Sequence, residues 1–288
     1  MDATQKPVIK QGWIRAVAYL IGVSLIVYTF QIFGNEIMNQ FTSGTEKGEA
    51  SIVNFGVLYA LMGLLILAFT WLMRKFIDKR SFISLGFDWK GYSNEAGLGF
   101  FGALVILGIG SLILIASGYI SFVSASLNIT ALFIEIAIMV VVAFIEELLF
   151  RGYLLNNLLQ SVNKWVALAI TSILFALFHE ANPDVTVFAI INIVLAGLLL
   201  GLNYIFTKNL WFGICFHFAW NYFQGPVLGY DVSGLKLSSI VQQTVSGPDV
   251  WTGGPFGFEG SLLCPLLFVI SIAVFTFLFL RRYQAVGE

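Results

Sequence analysis

Charged residues are scarce in this chain, at 11% of 288 residues, against roughly a quarter in soluble domains. An ordinary soluble globular fold is thereby excluded. Cysteine and histidine number two each. Cys215 and Cys264 both lie in apolar stretches with no framework spacing, so each thiol reads as a small hydrophobe and a disulfide scaffold is excluded. A net charge of -1 offers no basic field, which removes nucleic acid as a partner. The first apolar block has no small-residue cleavage site before Phe33, so it reads as a retained helix and not as a signal peptide.

What is present is apolar surface in long blocks. Hydrophobic residues make up 58% of the chain, and the blocks approach the roughly 20 residues a helix needs to cross a hydrocarbon core. The pattern predicts an all-α, polytopic transmembrane helix bundle of about eight helices, at about 12–34, 52–73, 96–118, 129–150, 165–179, 185–206, 210–223 and 261–280. An even count puts both termini on one side. Of 15 Lys and Arg residues, only Lys47 and Lys236 then fall on the opposite side. Under the positive-inside rule this bias makes the protein multi-pass in a cell membrane with both termini cytoplasmic.

The chain divides into N-terminal helices of unassigned role at 1–125, a helical core at 126–225, and an external loop with the last helix at 226–288. The stretches 35–51 and 224–260 are expected as external loops, the second rich in Gly, Ser and Pro. Between Arg74 and Asn94, basic side chains alternate with Phe76, Ile77, Phe82 and Ile83, and the expected role is a juxtamembrane interfacial stretch. Gly197 and Gly201 stand at G-x-x-x-G spacing, for which packing within the chain is the expected use.

An ionisable side chain near mid-bilayer costs about 3 kcal/mol, so Glu146, Glu147 and Arg151 in one apolar block need a reason to be there. Glu147 and Arg151 share a helix face and can neutralise each other, whereas Glu146 points about 100° away and is freer. By themselves, these three read equally well as a structural ion pair beside a spare carboxylate. The two histidines weaken that reading, because both sit in apolar segments with helical partners, Phe175 to His179 and His217 to Asn221. The midpoint between Glu146 and His179 falls in the turn-like run Ser161-Val162-Asn163-Lys164. An antiparallel hairpin with its first helix continued to about Gln160 would set the two at one height. His217 reaches that depth only if the hairpin protrudes into the cytoplasm. The loop from Glu180 to Asp184 must then dip into the bundle, unless the site lies deeper.

Peptide hydrolysis needs an activated nucleophile, a proton for the leaving nitrogen and donors for the oxyanion. Glu146 and His179 could activate water, while His217 and Asn221, one turn apart, could aim N–H donors at one point. A G-x-S-G serine site, a G-x-G-D aspartyl site and an H-E-x-x-H zinc site are each missing from the spans. Glu146, His179 and His217 could together hold zinc, since two His and a carboxylate are a known catalytic set. This metal-dependent version ranks second, and no cofactor is expected on the first reading.

Glu146-Glu147-x-x-x-Arg151-Gly152, Phe175-x-x-x-His179 and His217-x-x-x-Asn221 together resemble the CAAX prenyl endopeptidase and bacteriocin-processing family, often called CPBP or Abi. The resemblance covers about residues 130–225, with the run Thr207 to Trp211 also similar. It implies an intramembrane endopeptidase that acts within the lipid bilayer on membrane-associated protein or peptide substrates. It further implies that Glu146 and His179 activate water, that His217 and Asn221 hold the oxyanion, and that Glu147 and Arg151 support them. Family members have also been described as metalloproteases. The run from Gly253 to Gly260 looks like a loop of some bacterial members, with a turn as its default reading. The rival to an enzyme is a non-catalytic membrane scaffold or immunity protein that keeps its polar cluster for packing.

Overall fold

The computed structural model describes residues 6–41 and 49–284. Eight principal helices follow the predicted order: α1 Gly12–Phe41, α2 Glu49–Leu72, α3 Ser93–Ala116, α4 Ile129–Glu147, α5 Lys164–Leu177, α6 Val187–Thr207, α7 Trp211–Tyr222 and α8 Leu263–Gln284. The protein is an all-α polytopic membrane bundle. Among the described residues, α1, α2, α3, α4, α6 and α8 are long and apolar enough to cross a membrane. Both helices pass the bounds expected for them, since α1 runs on to Phe41 and α2 begins at Glu49. Lys47 falls between them, outside the described residues.

Local chemistry fixes the helix starts near the site. The side chains of Asn128, Asn163 and Thr186 accept the backbone N–H of Ala131, Trp165 and Ala189, satisfying donors that would be orphaned at the starts of α4, α5 and α6. Beyond Glu147, α4 passes into a π-helical stretch, Leu148–Leu155, in which every residue is buried, and ends with Asn156–Leu158. The apolar span is therefore 30 residues, Ile129–Leu158, or roughly 45 Å. That is the long first arm of the predicted hairpin. Its return arm, α5, has 14 residues and reaches only about 21 Å. The 12-residue α7 is prolonged by a π turn, Phe223–Val227, that contains Pro226. The expectation that these two would be full spans is corrected here: α5 and α7 fall short of the length needed to cross.

Gly197 and Gly201 on α6 are used inside the chain. A Cβ at Gly197 would meet the Cα of Ser172 at 2.8 Å, and one at Gly201 would meet Leu168 Cδ1 at 2.5 Å, so α5 and α6 pack closely where side chains are missing.

Two features depart from the expected organisation. A two-stranded antiparallel ladder joins β1 Ile120–Ala125 to β2 Val241–Val245, with Ile120 opposite Val245. It clips the end of α3 to the long loop after α7, which puts both on one side of the bundle. Nor is the segment after α2 purely interfacial. Phe76 and Ile83 are exposed, but Arg74 is buried and salt-bridged to Asp78 at 2.9 Å, and Arg15 on α1 reaches the same carboxylate at 2.8 Å.

Candidate active site

Glu147 lies at the end of the regular part of α4, fully buried, and its partner Arg151 lies one turn on in the π stretch. Arg151 Nη1 donates to Glu147 Oε1 at 2.7 Å and Nη2 donates to the Gly197 carbonyl at 3.0 Å. The guanidinium also stacks 4.5 Å over the Phe175 ring. The predicted neutralisation is present, and the pair does more. His217 Nδ1 contacts Glu147 Oε1 at 3.2 Å. A carboxylate only accepts, so Nδ1 carries the proton and the ring is held with Nε2 directed away. Space for this carboxylate comes from Gly213 on α7, where a Cβ would stand 2.6 Å from Glu147 Oε2.

His179 is placed by the end of a helix. α5 stops at Leu177, leaving its last carbonyls without intrahelical donors. His179, in the following turn, offers Nδ1 to the Phe175 carbonyl at 2.8 Å. That bond puts the proton on Nδ1 here too and leaves Nε2 facing inward. The i,i+4 spacing of Phe175 and His179 reflects a ring folded back onto its own helix terminus, not two residues within a helix.

Glu146 faces both rings. Its Oε2 lies 3.8 Å from His179 Nε2 and 3.8 Å from His217 Nε2, beyond direct hydrogen-bond range. The same oxygen is buried and has no hydrogen-bond partner among the described residues. Oε1 accepts the hydroxyl of Tyr59 on α2 at 2.7 Å. Asn221 lies one turn beyond His217 on α7, is 6% exposed, and borders the same cavity as Glu146, His179 and His217. All four predicted residues therefore meet at one cavity, with Glu147 and Arg151 behind them.

The cavity measures about 250 Å³, far more than one water requires. Its walls are largely apolar, from Met62, Met139, Val142, Leu149, Phe150 and Phe216, and its far side carries Asn182, Ser233 and Glu259. Of the loop after His179, Asn182 reaches the cavity and donates to the Ser233 carbonyl at 3.1 Å, whereas Glu180, Ala181, Pro183 and Asp184 are exposed, so the loop does not dip into the bundle as a whole. Glu259 accepts Trp220 Nε1 at 2.8 Å, Ser233 N at 3.0 Å and Ser233 Oγ at 2.6 Å, fastening the long loop over the cavity. The Gly253 to Gly260 run is a turn by conformation, but through Glu259 it also builds a cavity wall. Sequence reasoning missed Tyr59 and assigned Glu259 no role. The only sequence signals for them are a phenol within an apolar span and an acid between glycine-rich turns.

Two imidazoles and a carboxylate suit zinc by donor type, yet among the described residues no group of three or more His, Cys, Asp or Glu is arranged to hold a metal ion. What the cluster offers chemically is a carboxylate oxygen, two ring nitrogens and an amide around one space.

No curated protein and no solved structure matches the chain. A family model described as type II CAAX prenyl endopeptidase Rce1-like matches residues 128–223, the stretch that contains Glu146, Glu147, Arg151, His179, His217 and Asn221. Tyr59 and Glu259 lie outside it. Residues 128–223 are thus similar to the type II CAAX prenyl endopeptidase Rce1-like family, the family that the three motifs resemble.

Proposed function

We propose that this protein is an intramembrane endopeptidase that hydrolyses peptide bonds of membrane-associated protein or peptide substrates, with Glu146 and His179 activating water. The observation that carries the reading is the buried, unpartnered Oε2 of Glu146 beside two inward-facing imidazole nitrogens at the edge of a cavity. A water set off the line between Glu146 Oε2 and His179 Nε2, 3.8 Å apart, is within hydrogen-bond reach of both. As its oxygen attacks the scissile carbonyl carbon, its proton passes to the Glu146 carboxylate, and His179 orients the remaining O–H. The carbonyl oxygen becomes an oxyanion facing His217 and Asn221. Asn221 supplies an amide N–H, and His217 supplies Nε2–H when both of its nitrogens are protonated, a form that Glu147 helps to hold in place. Collapse of the intermediate breaks the C–N bond, the leaving nitrogen takes the proton from Glu146, and an acid and an amine are released.

In this reading no metal is needed. The metal-dependent version assigns Glu146, His179 and His217 as ligands, and elemental analysis of purified protein tests it. Stoichiometric zinc that disappears in His179→Ala would replace the metal-free mechanism. With both termini cytoplasmic, a C-terminal reporter that fluoresces only in the cytoplasm is expected to be bright.

The central test is mass spectrometry of new peptide termini in host cells that carry wild type or Glu146→Gln at matched membrane levels. Termini found only with wild type are expected. Identical terminus profiles, with the variant folded, would favour the scaffold reading instead.

A further inference from the structure

A phenol in an apolar helix stays buried at little cost only where its hydroxyl finds a partner. Tyr59 on α2 has such a partner in the carboxylate at the centre of the site, donating to Glu146 Oε1 at 2.7 Å. α2 lies outside the stretch that matches the family, so the match says nothing of this contact.

The bond has a geometric consequence. The terminal torsion of a glutamate is broad and nearly two-fold, so an unanchored carboxylate exchanges its oxygens freely. With Oε1 tied to α2, Oε2 is the oxygen turned to His179 Nε2 and His217 Nε2, each 3.8 Å away. Tyr59 also stands where two spaces meet. Together with Val27 and Met62 it lines both the cavity and a second recess between α1 and α2, bordered by Phe30, Gln31 and Leu58.

We propose that Tyr59 is a positioning residue for Glu146, holding the plane of its carboxylate so that the unanchored oxygen stays turned to the imidazole pair. The proposal rests on the reading of Glu146 as the group that activates water. Removing the phenol O–H leaves the cavity walls in place and frees the carboxylate to rotate, so the loss falls on turnover and not on substrate binding.

The test uses the full-length protein in liposomes and a synthetic peptide spanning a cleavage site seen only with wild type in the terminus experiment. Tyr59→Phe keeps the ring and removes the donor. The expected result is a kcat lower by about 10–100-fold, as for other partners that orient a working group, with KM within about two-fold. The thermal midpoint is unchanged. Wild-type kcat would overturn the proposal. So would a lower kcat accompanied by a lower thermal midpoint and a raised KM, which is the signature of packing alone. Glu146→Gln, measured alongside, separates the two levels. If it is inactive while Tyr59→Phe is normal, only the role of Tyr59 falls. If it is active, the catalytic reading falls and the role of Tyr59 falls with it.

Discussion

This membrane bundle contains two buried ionic clusters that spend their polar groups differently. Around Asp78, both carboxylate oxygens are taken: Oδ1 by Arg15 at 2.8 Å and Tyr153 at 3.3 Å, Oδ2 by Arg74 at 2.9 Å. The remaining guanidinium donors go largely to Gln160, Ser84 Oγ and the Ser84 carbonyl. Around Glu146, the count is left open. Oε2 of Glu146 and Oε2 of Glu147 are buried without hydrogen-bond partners among the described residues, and the Glu146 carboxylate borders a cavity. A buried polar atom without a partner costs about 1–3 kcal/mol. The first cluster has the form of a clasp that joins α1, the end of α2 and the long arm of α4. The second leaves an acceptor open on Glu146, which borders the cavity, while Glu147 lies behind it.

The sharpest way to break this contrast is to substitute the central carboxylate of each cluster. Glu146→Gln is expected to lower cleavage by on the order of 10³-fold while leaving the thermal midpoint in detergent near wild type. Asp78→Ala should do the reverse. It strands two buried arginines and should lose about 3–5 kcal/mol of stability, read by denaturant unfolding, with cleavage per folded molecule retained. If Asp78→Ala were as stable as wild type, the clasp would be ornamental. Gly213→Ala probes the boundary between the two behaviours, because its Cβ would press on Glu147 Oε2 from 2.6 Å. A loss of about 1–3 kcal/mol together with reduced cleavage is expected, and a change in only one would show that Glu147 serves only one of its neighbours. The smallest effect should come from Ser233→Ala, which removes a 2.6 Å hydroxyl bond to Glu259. It should cost about 0.5–1.5 kcal/mol, with cleavage chemistry little changed.

The eight helices and the convergence of Glu146, His179, His217 and Asn221 were legible in the sequence for different reasons. Spans declare themselves because an apolar block of membrane length has few other uses. The four residues declare themselves because ionisable and amide groups in such blocks are expensive. Which face of a helix meets a neighbour was not legible, since in a bilayer the outward face is apolar as well. Phe101 and Leu112 on α3 are exposed while Ala103 and Leu107 are buried, and nothing in their polarity separates them. For the same reason Tyr59 gave no warning of its role: its partner sits 87 residues away on another helix. Arg74 was read as interfacial because basic residues beside aromatic ones usually are. Its burial depends on Asp78 and on Arg15 from a different helix, a long-range match that no local window contains. The β1–β2 ladder was missed for a related reason, since the sequence Ile120–Ala125 pairs with residues more than a hundred positions later.

The short length of α5 bears on how a hydrolase could work in oil. At about 21 Å for its 14 residues, α5 is roughly a third shorter than the hydrocarbon layer is thick. Such a mismatch is relieved by drawing the lipid headgroups inward or by sheltering the helix end within protein. Here the chain beyond α5 carries His179 and Asn182 straight to the cavity wall. On the proposed reading, a short α5 beside the cavity leaves a water molecule arriving from the aqueous phase less of the bilayer to cross.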